Sequence, residues 1–206
     1  TYISYDLIEK YDVQKINVDI DLLTNNNELN IETLKNSDIK FKNAEYVFNE
    51  KFIVSREVEK MSKSKFNVVS PDKICDKYGA DTLRMYEMFL GPLEQSKPWN
   101  MDGITGVHNF LKKFWNLFHD ESRFNVLDTK PNENSLKILH KTIKKVNSDI
   151  ENYSFNTCIS AFMICVNELS SLNEKSSAVL RNLCILMSPF APHICEEIWS
   201  KFGESD

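Results

Sequence analysis

From Asp102 to about residue 202 the apolar residues recur at helical spacing in one stripe after another, joined by short polar connections. Ile104, Val107, Leu111, Phe114 and Phe118 fall on one face of a helix that Asp102 is placed to cap. Leu136, Leu139, Ile143, Val146 and Ile150 make the next stripe. Ile159, Phe162, Val166 and Leu169 make a third, and Val179, Leu183 and Leu186 a fourth. Pro189 and Pro192 then interrupt the chain before a last helix through Ile198 and Trp199. Each face must be buried, and short connections make consecutive helices antiparallel neighbours, so this stretch is expected to be a helical bundle. Two helices precede it. Ser70-Pro71-Asp72 supplies a capping hydroxyl, a first-turn proline and an acid at the positive end of the dipole. Gly79 ends that helix, Ala80 to Leu90 form another, and Gly91-Pro92 stop it.

The first 59 residues have a different texture. Ile16 to Leu22 alternate apolar and polar with period two, the pattern of a half-buried strand. Asn25-Asn26-Asn27 reads as a turn, and Tyr46-Val47-Phe48 with Phe52-Ile53-Val54 as a hairpin. The expected fold class is therefore α+β: a small β-containing insertion followed by a mainly α-helical bundle. Three parts are expected: 1–59 as a small α/β insertion, 60–100 as a loop with connecting helices, and 101–206 as the bundle.

Composition narrows the function. With 42% hydrophobic and 27% charged residues the chain reads as an ordinary packed protein. No apolar run is long enough to span a membrane, and the N-terminus lacks the pattern of a secretion signal, so a cytoplasmic protein is expected. Five cysteines without paired spacing suggest neither a disulfide framework nor a zinc knuckle, and no metal site is expected. His193 and Cys195 read as a helix start with a small buried cysteine. The net charge of −5 is unevenly spread. Residues 1–59 carry seven Lys/Arg against twelve Asp/Glu, and residues 131–206 seven against nine. Residues 60–130 alone are positive, with eleven against nine, so a polyanion would meet the chain there.

That positive part begins with the string EKMSKSKFNV at residues 59–68. A lysine run is ordinarily a solvated surface. An ammonium on a flexible stem also suits a phosphate whose charge shifts during reaction, while serines add donors and permit an irregular loop. No GxxxxGK[ST] cradle occurs, so any phosphate bound here is held by side chains on a loop.

Lys60-Met61-Ser62-Lys63-Ser64 matches the second signature of the class I aminoacyl-tRNA synthetases, and the likeness runs on. Residues 65–118, above all MFLGPLEQSKPW at 88–99, resemble the bacterial leucyl-tRNA synthetases, as does SPFAPHICEEIW near the end. The likeness covers nearly all of 60–202, and residues 1–59 resemble the variable insertion that precedes the signature. It implies a family that uses ATP to activate leucine and passes it to tRNA(Leu). Lys63 would then be the catalytic residue on the phosphates, assisted by Lys60. Met61, Ser62 and Ser64 complete the ATP-binding loop, and magnesium is expected with the ATP. Phe66 departs from the glycine often found at that place.

The bundle then corresponds to an anticodon-binding-type domain that contacts the tRNA body. Lys112 and Lys113, with Lys141, Lys144 and Lys145 on the next helix, are candidates for phosphate contacts; a solvated helix face is the alternative. A signature of the HxGH type is missing: none of His108, His119, His140 and His193 lies two or three residues from another. Nor is there a run of strands and helices for a nucleotide fold. The expectation is a catalytically inactive, monomeric part of a longer enzyme. A helical module that only docks tRNA or protein is the competing reading.

Overall fold

The computed structural model describes residues 1–203 except Asn25 and Ser122. The start of the expected asparagine turn and the last three residues of the expected bundle lie outside the described residues. The chain divides into two compact units, Thr1–Ser70 and Pro71–Asp206. The boundary falls inside the 60–100 piece grouped together from sequence, because the lysine loop clusters with the residues before it.

In the first unit β1 (Tyr2–Ile3) pairs in parallel with β2 (Tyr46–Val47), Tyr2 opposite Tyr46. Between them run the short helices α1 (Ile31–Ser37) and α2 (Ile39–Lys42). Asn30 caps α1 by accepting from Thr33 N–H, and Asp38 caps α2 by accepting from Lys40 N–H. The core is Leu29, Leu34, Phe41 and Phe52, with Tyr2 and Tyr46 packed against it. The expected hairpin of 46–48 with 52–54 does not form. The N-terminal segment takes the bonds instead: Ser4 N–H donates to Val47 O at 2.9 Å and Tyr5 N–H to Ile53 O at 2.8 Å. Residues 52–54 also pair antiparallel with 27–29, through Leu29 N–H to Phe52 O and Val54 N–H to Asn27 O.

The expected strand at 16–22 is also absent. Residues 11–19 are irregular, and Ile20–Leu22 form one turn of 3-10 helix. The alternation is real: Val18, Ile20 and Leu22 are half-buried, while Asn17, Asp19 and Asp21 are exposed. Among the described residues the stretch finds a ladder partner only at its end, where Leu22 O accepts from Asn30 N–H at 3.0 Å, and the Asp19 carboxylate accepts from Asp21 N–H and turns the chain.

In the second unit α3 (Pro71–Tyr78) and α4 (Ala80–Phe89) meet at Gly79, whose φ of +87° favours glycine. Then come α5 (Ile104–Phe118), the two-residue pair β3 (His119–Asp120) and β4 (Arg123–Phe124), α6 (Glu133–Glu151), α7 (Phe155–Ser171), α8 (Ser177–Met187) and α9 (Pro192–Ser200). Helix α7 packs against α4, α5 and α6, and its Phe162, Val166 and Leu169 are fully buried. All five residues of the expected α5 stripe are buried.

Asp102 is not the cap of α5. Gly103 holds that position, and Asp102 offers only its backbone, donating to Asn100 Oδ1 and accepting from the Thr105 hydroxyl. A Cβ at Gly103 would lie 3.0 Å from the Tyr86 ring, so the start of α5 sits against α4 too closely for a larger residue. The α6 face is partly rotated from the expected one: Leu139 and Val146 are buried as expected, while the other three inward positions fall one residue earlier. Ser135, Leu139, Thr142, Val146 and Asp149 face inward, Leu136 and Ile143 are half-buried, and Ile150 is exposed.

The rotation follows from Asp149. Its carboxylate accepts from Lys145 Nζ and from Thr157 Oγ1 on α7, each at 2.6 Å. Burial pushes this carboxyl up, but the two hydrogen bonds and the Lys145 charge outweigh it, so it titrates below its ordinary range. A depressed folded value stabilises the fold above the unfolded-state range and loses that contribution as pH falls through it. Acid should therefore destabilise the parent chain more steeply than Asp149→Asn, as read from melting temperatures between about pH 6 and pH 3. Parallel curves would remove Asp149 from the account.

Asp81 makes another buried connection. It sits in the first turn of α4, yet its carboxylate accepts from Ile194 N–H at 2.8 Å and His193 N–H at 3.3 Å. It also meets His193 Nδ1 at 2.8 Å. Those amides belong to the first turn of α9, whose own cap position is Ala191 and has no side-chain acceptor.

Candidate functional site

The loop of residues 59–67 is held at its ends and open in its middle. On the entry side Lys15 Nζ bonds the Glu57 carboxylate. On the exit side Ile20 N–H donates to Phe66 O at 3.2 Å. The irregular segment 15–20 thus touches both limbs, which gives the misread strand a physical role. Within the loop, Lys63–Lys65 form a single turn of 3-10 helix, and Phe66 turns the chain out with φ +54° and ψ +30°. A left-handed conformation at a residue with a Cβ costs roughly 1–2 kcal/mol. This is the place where the resemblance often has glycine, and Phe66 adopts there a backbone conformation that favours glycine.

The lysines are not equivalent. Lys65 Nζ lies 2.9 Å from a Glu59 carboxylate oxygen, so its charge is offset within the loop. Lys60 and Lys63 are exposed, and among the described residues their ammonium groups meet no carboxylate. Met61 is exposed beside them, and the Ser62 and Ser64 hydroxyls hydrogen-bond each other at 2.8 Å. One side chain ties the loop together: Asn67 Oδ1 accepts from Ser62 N–H at 2.8 Å, and its Nδ2 donates to Lys60 O at 3.4 Å. Glu59 and Asn67 escaped the sequence reading; an acid and an amide flanking a signature carry no pattern of their own. Chemically the loop presents two unpaired cations to solvent beside a pair of mutually bonded hydroxyls, an arrangement suited to an incoming anion.

The other candidate lysines lie in the second unit. Lys112 and Lys113 are exposed on α5, and Lys113 Nζ donates to Asn167 Oδ1 on α7 at 3.2 Å. Asn116, Ser170 and Ser171 line the groove beside them. On α6, Lys141 and Lys144 are exposed, whereas Lys145 is engaged by Asp149. Lys145 therefore has a structural task that its neighbours lack.

The remaining reactive residue types have packing roles. Trp115 stacks on His119 with ring centroids 3.8 Å apart, Trp99 meets Tyr86 edge-on, and Trp199 meets Phe202. All five cysteines are free, and burial pushes the Cys158 thiol up to about 11, so it stays protonated. Among the described residues no group of three or more His, Cys, Asp and Glu could hold a metal ion. None of the described helices is long and apolar enough to cross a membrane.

Comparison with known proteins gives two family matches along the chain. Residues 31–99 match the family model of class I tRNA synthetases for isoleucine, leucine, methionine and valine. Residues 132–206 match the anticodon-binding domain of tRNA ligases. Loop and bundle thus each match a segment of the tRNA synthetases of class I. The chain is homologous along its whole length to the leucine–tRNA ligases. It is 58% identical to that of Flavobacterium johnsoniae over 205 residues, 98% of this chain and 22% of the relative. It is 56% identical to that of Christiangramia forsetii over 206 residues, all of this chain and 21% of the relative. The chain thus spans about a fifth of the length of the curated relatives it matches. A crystal structure of the ternary complex of Agrobacterium radiobacter LeuRS, tRNA and LeuAMS aligns with 73% of this chain and 22% of that one. Its TM-score is 0.62 at 30% identity.

Proposed function

We propose that residues 1–206 act as the part of a leucine–tRNA ligase that closes over the ATP phosphates and braces the tRNA. The observation that carries this reading is the pair of unpaired, exposed ammonium groups of Lys60 and Lys63, on a loop whose third lysine is neutralised by Glu59. In the first step a leucine carboxylate oxygen attacks the α-phosphorus of ATP. The bond to the bridging oxygen breaks, and pyrophosphate leaves with the electron pair. Negative charge builds on the departing phosphates, where Lys63 stabilises it and Lys60 assists. Met61, Ser62 and Ser64 shape the loop around the nucleotide, and magnesium arrives coordinated by the phosphates. In the second step the leucyl group passes to the terminal ribose of tRNA(Leu). Lys112 and Lys113 contact its backbone from α5, and Lys141 and Lys144 from α6; Lys145, held by Asp149, contributes least. The enzyme works in the cytoplasm as a monomer, and this chain alone makes no adenylate.

A chimera tests the proposal, with residues 1–206 replacing the matching segment of the Flavobacterium johnsoniae relative. The chimera should catalyse leucine-dependent ATP–pyrophosphate exchange and charge tRNA(Leu), and the isolated chain should do neither. Lys112→Glu with Lys113→Glu should raise the Michaelis constant for tRNA at low salt by roughly 10-fold and leave the exchange rate alone. Exchange by the isolated chain, or a folded chimera without exchange, overturns the reading. An unchanged tRNA constant removes the α5 lysines from it.

A further inference from the structure

We infer that Asn67, which lies outside the five-residue signature, is a positioning residue that sets the geometry of Lys60 and Lys63 by cross-linking the two limbs of their loop. The inference rests on the phosphate role proposed for those lysines. The Asn67 carbonyl accepts from Ser62 N–H and its amide nitrogen donates to Lys60 O, so one side chain bonds to the residues on both sides of Met61. The two bonds fix the amide's orientation, because a flipped amide would set a donor against the Ser62 N–H and an acceptor against the Lys60 carbonyl. The Lys65–Glu59 ion pair also joins the limbs, but it is exposed and holds side-chain ends, whereas Asn67 bonds the backbone next to the signature. The loop's only regular element is the three-residue turn Lys63–Lys65, and its exit runs through the left-handed Phe66 next to Asn67. That strain opposes the observed conformation, and the paired amide opposes its relaxation. Asn67 is half-buried while both lysines are exposed, so the amide is a fixed base beneath mobile cations.

Such a residue acts on the reaction only through the lysines, and this gives it a distinguishable signature. A misplacement of about 1 Å in a group that stabilises transition-state charge can cost about 10²-fold. In the chimera, Asn67→Ala should lower kcat for ATP–pyrophosphate exchange by about 10- to 100-fold, with the Michaelis constant for leucine unchanged. Asn67→Asp keeps the acceptor for Ser62 N–H and loses the donor to Lys60 O, so it should fall between Asn67→Ala and the parent. The deciding variant is the double one. If Asn67 works through Lys63, adding Asn67→Ala to Lys63→Ala should slow the enzyme by no more than about 2-fold further. Independent, multiplying losses overturn the inference, as does a single Asn67→Ala chimera within 2-fold of the parent or one that no longer melts cooperatively at the parent temperature. A fast Lys63→Ala chimera is a separate failure, because it removes the proposed function itself.

Discussion

Asp81→Ala lowers the melting temperature of the chain by about 5–15 °C, corresponding to a loss of about 2–4 kcal/mol. The amides of His193 and Ile194 stand at the second and third positions of α9, after Pro192, which has no N–H; they are the pair that a capping side chain ordinarily satisfies. Ala191 has no group with which to do so, and the acceptor comes from α4 instead. The carboxylate also places negative charge at the positive end of the α9 dipole, in a site that is 7% exposed. Removing it leaves two amide donors without their acceptor in a partly buried place, which costs more than the bonds contribute when made. Arg84, one turn along the same helix, donates to Pro189 O at 3.1 Å and holds the α8–α9 connection from the same side. Asp81→Asn keeps an acceptor and loses the charge, so it should recover about half of the loss. Thermal unfolding of the two variants reads this directly, and a shift below about 2 °C for the alanine variant contradicts the capping role.

Much of the bundle was legible in the sequence because helix faces declare themselves through spacing alone. The α5 and α7 stripes are buried as read. On α6 Leu139 and Val146 are buried as read, but Thr142 and Asp149 face inward in place of the neighbouring Ile143 and Ile150. A paired carboxylate can be buried, and hydrophobicity carries no sign of the pairing. The first unit was legible only in outline. Its α+β character stands, but the hairpin yielded to the N-terminal segment and the 16–22 strand to an irregular stretch. Both errors have one cause: local alternation reports which residues face a core, while strand identity depends on a partner distant in sequence. The same limit explains Asp81, which lies in the first turn of α4. It caps a helix 112 residues further on, a relation that no local pattern encodes.

Of the candidate site, the loop's location was legible from its signature. Its internal order was not. Lys65 and Lys63 look alike in a string of letters, and only the Glu59 carboxylate beside one of them separates a compensated charge from an available one. Asn67 is hidden for a related reason, since a polar residue after a serine-rich loop reads as connection. Phe66 was marked as a departure from glycine, and the left-handed backbone it adopts gives that departure its physical meaning.

In the chimera, if the loop acts as proposed, Lys63→Ala should slow leucyl-adenylate formation by about 10²–10³-fold, the typical effect of removing one preorganised donor from developing charge. The effect should fall on the chemical step, because the interaction strengthens as charge moves onto the leaving pyrophosphate. Lys60→Ala, acting on the same phosphates from the loop entry, should cost less. Lys65→Ala removes a charge already paired with Glu59 and should stay within about 3-fold of the parent, as exposed ion pairs contribute little. Arginine at position 63 keeps the charge but spreads it over a planar fork, so Lys63→Arg should restore only part of the rate.

The most direct test of the account is single-turnover formation of leucyl-adenylate by the chimera carrying Lys63→Ala or, separately, Lys65→Ala. The account predicts a rate about 10²–10³-fold below the parent for Lys63→Ala and a rate near the parent for Lys65→Ala. A Lys63→Ala rate within about 10-fold of the parent, or equal losses for the two variants, contradicts it.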